Sequence, residues 1–585
     1  MRVLYLVPPG RFPTVVVDAG PWWDTVAASG RHQLVNYSAN FHWWQTLCGP
    51  DIKRLLLAGF TLTQRVRRRL EWQVNDCDLA LTAGAAGQAL RALRAEGPYR
   101  SAAMFLEVAR ALTDHLAALN AAQAELELSL TPGVRVEGLD YADSRELVAY
   151  SRRDGCLAHL IDAALAECPS DLQFLAVAVT SAESLLCAMI AARLLRRRNP
   201  RLHVCLADHG YENFSLHAHI GTLKQSRAIE QVFDTIIEAK DDRDVLLPQI
   251  IDAVAAGSAP RGFVTAAGFA KAPPPGARRP SPPPPLPTFT PEPVLFTRLS
   301  RRRCYWSRCT FCTQNTKYDD PKAASRLEIP AALDRIAAFL QSGYRNVVFS
   351  DEAIAPSTLK VLCEEITRRK LDFAWTCRCR LELSHTRELF QAMRAAGCYE
   401  VLFGLESISP RVQKLMDKHL EGMDEDRVRR IFADMQAAGL AIHVTMIAGF
   451  PGDTLADSER TVEFVIGALR DARNATCYLN QFSLFPDTAI LREPARFGIA
   501  RVERQGDMPS RYDFEFDADT EAKTGPVLAH FPQLNEKLVR GLGWDCLGAE
   551  APAKAVHSLY FTSGCGAILK TRAENPFGTP LNLVA

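Results

Sequence analysis

A chain of 585 residues exceeds what one hydrophobic core supports, so two or three domains are expected. Its 68 lysines and arginines balance 67 aspartates and glutamates, and a net charge of +1 gives no global field to draw in nucleic acid or an anionic membrane. The opening MRVLYLVPPG has too short an apolar run for a signal segment, the apolar stretch 172–195 is broken by Thr180, Ser181 and Glu183, and the 16 cysteines follow no regular framework, so a cytoplasmic protein without a membrane span is expected.

Val3–Val7 reads as a first strand, followed by candidate strands at Leu79–Thr82, Phe174–Val179, His203–Ala207 and Asp234–Glu238. Ala182–Arg198 reads as a crossover helix between two of them, and the alanine- and leucine-rich stretch Gln88–Glu127 as an inserted helical unit. This rhythm predicts an open, doubly wound α/β domain of the Rossmann-like kind over residues 1–270. Most cysteines here, such as Cys187, read as small core residues.

The run KAPPPGARRPSPPPPLPTFTPEP, residues 271–293, favours extended polyproline and predicts a linker. After it, candidate strands at Pro293–Leu299, Asn346–Asp351, Asp372–Arg380, Tyr399–Glu406, Ala441–Phe450 and Cys477–Phe485 alternate with helical segments such as Ala331–Gln341, Ser357–Lys370, Thr386–Ala396 and Thr461–Ala472. Repeated strand–helix–strand units imply parallel pairing with right-handed crossovers, and residues 294–499 are predicted to form a partial or full βα barrel. Residues 500–585 form a C-terminal extension without a usable motif. Within it, His557–Cys565 reads as a closing strand, and Cys565 as either a functional thiol or a buried one.

Residues 301–312 read RRRCYWSRCTFC, placing Cys304, Cys309 and Cys312 at C-x4-C-x2-C spacing just after the first barrel strand. Three close cysteines without a fourth ligand nearby suit a cubane iron–sulfur cluster with one open metal position. A structural zinc site completed from a distance is the alternative. By strand alternation Thr376, Arg378 and Arg380 share one face, as do Glu400, Gly404 and Glu406, and such polar faces are expected to point at a ligand. Cys377 and Cys379 lie on the opposite face and read as buried core rather than as a second metal site.

The loop CYWSRCTFC, with TRLSRRRC before it and TQNTKYDD after it, resembles the cluster loop of cobalamin-dependent radical S-adenosylmethionine (SAM) enzymes, similar to the members that modify peptides and natural products. The usual family spacing is C-x3-C-x2-C, so this chain has one residue more in the first gap. The resemblance implies a partial (βα)6 TIM-like barrel in which Cys304, Cys309 and Cys312 hold a 4Fe-4S cluster, with Phe311 beside it, and the open iron chelates SAM. FSDEAIAP (residues 349–356) resembles the second-strand end with Asp351 at the site. FGLES (403–407) resembles the fourth-strand segment in which Glu406, beside Gly404, accepts the SAM ribose hydroxyls, and IAGFPGDT (447–454) resembles the fifth-strand segment that lies against adenine through Gly449 and Pro451. Arg378 and Arg380 are assigned to the cofactor face.

The N-terminal region resembles cobalamin-binding domains through AVAVTSAES (176–184), VCLADHGYENFS (204–215) and FDTIIEAKDD (233–242), which implies contacts from Thr180, Ser181, Asp208, His209 and Gly210 in a crevice facing the barrel mouth. Asp208 and His209 are adjacent, so the Asp-x-His-x-x-Gly motif that places a histidine on cobalt is absent. A domain that no longer binds cobalamin is the alternative. The resemblance implies a methyltransferase acting on a small-molecule or peptide substrate, with a flavodoxin or ferredoxin as electron donor. Another radical reaction, such as cyclisation or rearrangement, and a catalytically inactive peptide-binding relative are the competing readings.

Overall fold

The computed structural model describes residues 1–10, 13, 16–17, 19–58, 79, 81–100, 102–123, 125–130, 133–208, 210–211, 214–238, 243–269, 283–299, 304–313, 329–419, 421–472 and 475–542. They fall into two compact units. The first comprises Met1–Pro98, Ala103–Pro293 and a short later segment, Gln505–Ser510; the second is built on Val294–Arg504 and the described residues after Ser510.

In the first unit, strands β1 (Arg2–Val7), β2 (Gln33–Ser38), β3 (Phe174–Ala178), β4 (His203–Asp208), β5 (Thr235–Ile237) and β6 (Gly262–Val264) pair in the order β6-β5-β4-β3-β1-β2, all parallel. The chain runs from β1 to β2 on one side and returns to β3 on the other, so the topological switch lies between β1 and β3. Central strands such as β3, FLAVA, are apolar because helices cover both faces of a parallel sheet. Leu79, Leu81 and Thr82 are helical, not a strand: the following alanines favour helix, and LALT is too short to resist them. The alanine-rich stretch is helical over residues 81–92 and Ala102–Ala122. Gln505–Ser510 joins this unit through Asp507, whose carboxylate accepts from the Ser144 backbone N–H at 2.8 Å.

In the second unit, β7 (Val294–Thr297), β8 (Asn346–Phe349), β9 (Ala374–Arg380), β10 (Cys398–Glu406), β11 (Ala441–Ala448) and β12 (Ala475–Gln481) pair in chain order, all parallel. Helices α1 (Ile329–Gln341), α2 (Pro356–Arg368), α3 (Arg387–Ala395), α4 (Pro410–Leu415), α5 (Glu425–Ala437) and α6 (Leu455–Leu469) lie between them. Tyr399, Val401, Phe403 and Leu405 of β10 are buried on the helix side, where Phe403 meets Phe432 of α5. The opposite face is less closed: Leu402, Gly404, Thr445, Ile447, Tyr478 and Asn480 are all half-buried and all lie on the lumen side by alternation.

Residues after the barrel fold onto it. An antiparallel pair, β13 (Ile499–Glu503) and β14 (Asp513–Phe516), precedes α7 (Ala518–Ala529) and α8 (Phe531–Gly541). His557–Cys565 lies outside the described residues. No described helix is long and apolar enough to cross a membrane.

Candidate active site

Carboxyl ends of parallel barrel strands gather catalytic groups because the following loops converge there. Cys304 follows β7 and forms an isolated parallel bridge with Ala353, just past β8. Ser307, in the longer first gap, adopts a left-handed φ of 48° and donates its hydroxyl to the Cys304 carbonyl, a local kink that takes up the additional residue. The residues between the cysteines tie the loop down: Trp306 Nε1 donates to the Asp417 carbonyl at 2.9 Å, Arg308 pairs with the Asp417 carboxylate at 2.9 Å, and Thr310 N donates to the Met416 carbonyl at 3.0 Å. Phe311 turns away into an apolar cluster with Phe450, Val412 and Met416, so its part is packing under the loop.

Cys304, Cys309 and Cys312 are partly exposed, whereas every other described cysteine is buried. Among the described residues no three His, Cys, Asp or Glu side chains are already gathered as ligands of one ion. What fits a cluster is the donor chemistry: three accessible thiols on one ten-residue loop that lacks a fourth donor. Burial pushes the Cys309 thiol up to about 11, and the nearby Lys418 ammonium opposes that rise.

Lys418 is a residue beside the cysteine loop that the motifs did not reveal. Its Nζ lies 2.7 Å from Glu406 Oε1, with both side chains nearly enclosed. Burial alone would lower the Lys418 pKa, but Glu406 and Cys309 outweigh it and raise the value. Glu406 closes β10 at a φ of 60°, where the pairing with β11 shifts register, and this kink turns its carboxylate toward Lys418. A Cβ on Gly404 would strike Glu406 Oε1 and Lys418 Nζ, so the glycine is what lets the pair form. Arg380 braces the arrangement: one guanidinium nitrogen donates to the Lys418 carbonyl at 2.7 Å, another pairs with Glu382 at 2.6 Å, and the plane lies 3.8 Å from the Trp306 ring centre.

Other expected site residues have structural partners. Asp351 Oδ2 accepts from Leu299 N at 2.8 Å and fixes the chain leaving β7, and Arg378 pairs with Glu352 at 3.2 Å. Gly449 has a φ of 79°, and the volume its side chain would occupy is filled by Leu528 of α7. Pro451 is buried in the turn closed by the bond from Asp453 N to the Phe450 carbonyl. In the first unit Ser181 caps the helix Ala182–Arg198, accepting from Ser184 N at 3.1 Å, while the Thr180 N–H donates to Ser184 Oγ at 2.9 Å. Asp208 ends β4, Gly210 follows it, and His209 lies outside the described residues.

Residues 302–465 match the model of the radical SAM superfamily. An uncharacterized methyltransferase of Pyrococcus horikoshii is 23% identical over 172 residues, 28% of this chain, and the match spans only 35% of that relative's length. The radical SAM methyltransferase TsrM of Kitasatospora setae, solved with cobalamin and a 4Fe-4S cluster, superposes with a TM-score of 0.45 at 14% identity, covering 70% of this chain and 90% of TsrM. The cobalamin-dependent SAM radical enzyme OxsB, with aqua-cobalamin bound, gives 0.45 at 13% identity over 74% of this chain and 69% of OxsB. The cysteine loop, the parallel barrel behind it and the matched span together make residues 302–465 a radical SAM domain.

Proposed function

We propose that this protein is a cobalamin-dependent radical SAM methyltransferase acting on a peptide or natural-product intermediate, with Cys304, Cys309 and Cys312 as cluster ligands. The observation that supports the reading is that Cys309, on the loop carrying the three partly exposed cysteines, lies near the Glu406–Lys418 pair. When bound, a 4Fe-4S cluster supplies the electron that cleaves SAM to a 5'-deoxyadenosyl radical, and cobalamin supplies the methyl group. The chain's own residues bind and orient: Lys418 offers an ammonium to the SAM carboxylate, Glu406 accepts the ribose hydroxyls, and Gly404 leaves room for both. The half-buried lumen positions above β10, β11 and β12 are the space for substrate.

For cobalamin, the support is the parallel sheet with a switch between β1 and β3, where Gly10 and Thr180 follow the strand ends. The methyltransferase relative matches only part of this chain and agrees in reaction type. We place the enzyme in the reducing cytoplasm, with a flavodoxin or ferredoxin as reductant. The test is anaerobic incubation of the reconstituted full chain with SAM and reductant. The reading requires 5'-deoxyadenosine; S-adenosylhomocysteine with a methylated product separates methyl transfer from other radical chemistry. Bound cobalamin in its cobalt(II) form is expected to show no axial nitrogen splitting in electron paramagnetic resonance. Failure of the full chain to retain any cobalamin while its cluster is intact would remove the methyl-transfer reading.

A further inference from the structure

The mechanism above leaves the buried carboxyl of Glu400 unused. Glu400, early in β10, is 8% exposed and lies on the same strand face as Glu406. Oε2 accepts a long bond from Thr376 Oγ1 of β9 at 3.3 Å, and Oε1 is buried with no hydrogen-bond partner. Tyr478 of β12 is close enough to feel its charge, and the Tyr478 ring meets His443 of β11 edge-on at 4.8 Å, with His443 Nδ1 held by Thr476 at 2.7 Å. Four consecutive strands thus contribute polar side chains to the lumen around Glu400, Thr376 level with it and His443 and Tyr478 level with Leu402 and Gly404. Leu402 and Gly404 are half-buried, so Glu400 lies at the bottom of accessible space rather than behind a packed core.

A carboxyl taken out of water with an unmatched oxygen is unfavourable unless a donor arrives. Burial pushes Glu400 up to about 7, against the weaker opposing effect of the Thr376 hydroxyl. Thr376 contributes a hydroxyl, which cannot balance an ionised carboxylate as a cation does.

We propose that the floor of the barrel lumen, with Glu400 as acceptor and Thr376, His443 and Tyr478 around it, is a recognition subsite for a protonated amine or amidinium group on the substrate. The subsite rests on the reading of the lumen as substrate space. Glu400 stands six residues before Glu406, on the order of 20 Å along the strand at about 3.3 Å per residue. The group it reads therefore belongs to a part of the substrate remote from the reacting centre, which selects elongated substrates carrying a basic end.

The test uses the full-length protein and two probes of equal length, 1,5-diaminopentane and the dialcohol pentane-1,5-diol, titrated calorimetrically at about pH 8, where the carboxyl is ionised. The diamine should bind about tenfold more tightly than the alcohol. Glu400→Gln should erase that preference. Infrared difference spectra of the unmutated protein, recorded near neutral pH, should show a carboxylic-acid band converting to carboxylate as the diamine is added, which decides the matter even if the variant fails to fold. No binding of the diamine, or an equal preference in Glu400→Gln, overturns the subsite. Formation of 5'-deoxyadenosine by the same preparation shows that such a result strikes the subsite alone.

Discussion

Cys304, Cys309 and Cys312 share a unit with Cys363, Cys377, Cys379 and Cys398, yet the two groups have opposite surroundings. The first three sit on a loop with access to solvent and a lysine beside them. The other four are buried: Cys377 and Cys379 lie on the helix-packed face of β9, 3.8 Å apart at sulfur; burial raises the Cys363 and Cys398 thiols, the bond with Cys377 and then burial raise Cys379, and for Cys377 the bond with Cys398 and burial outweigh the lowering bond with Cys379. A C-x-C pair on a strand has short spacing but lies buried away from solvent, whereas a loop at the carboxyl end of a strand brings spacing, access and charge together. Spacing proposes ligands; the face on which they lie selects among them.

The largest expected effect would break this contrast outright. Cys309→Ala should abolish iron binding in anaerobically reconstituted protein, while Cys377→Ala and Cys379→Ala should keep the iron and lose about 1–2 kcal/mol of stability as small core truncations. Iron and sulfide analysis of the three variants decides it.

The charge beside the loop provides a sharper test. Lys418→Met leaves Glu406 buried and uncompensated, and should cost about 3–5 kcal/mol in denaturant unfolding, much of which the added change Glu406→Gln should restore. Glu406→Gln alone should keep the cluster and raise the SAM dissociation constant about tenfold. Unchanged SAM affinity would detach this pair from the site.

Glu400 extends the comparison to a buried acid on the lumen face. Folded, it holds its proton up to about pH 7, whereas the unfolded side chain releases it near 4.5. Between those values the unfolded state binds fewer protons, so stability falls as pH rises, by up to about 3 kcal/mol, and levels off above 7. Glu400→Gln should flatten that slope in urea unfolding series at about pH 5 and about pH 8. A local effect, away from the cluster, belongs to Gly449→Ala, which meets Leu528 from a backbone at positive φ. A loss of about 1–3 kcal/mol is expected, seen as a lowered melting temperature with the cluster still loaded.

Much of this contrast was legible in the sequence. All six barrel strands were placed within a few residues because short apolar runs alternate with helical segments, and β9 and β10 add a polar lumen face opposite an apolar helix face; the cysteine loop stood out by spacing and Glu406 by resemblance. The strands overlooked in the first unit's parallel sheet, Gln33–Ser38 and Gly262–Val264, are its two edges; edge strands are short and partly exposed, so QLVNYS and GFV carry little periodic signal. Lys418 escaped because its partner lies twelve residues away, across a helix and a turn that only folding brings back to β10. Gly449 was identified as a position of close approach, but its neighbour, Leu528, comes from an extension that showed no motif.

The most direct measurement is electron paramagnetic resonance of the reduced, reconstituted full chain with and without SAM. If Cys304, Cys309 and Cys312 hold a cluster with one open iron beside Glu406 and Lys418, adding SAM should shift the signal of the reduced cluster, and Lys418→Met should weaken that response. A cluster signal indifferent to SAM, or one that persists when all three cysteines are replaced by alanine, would contradict the account.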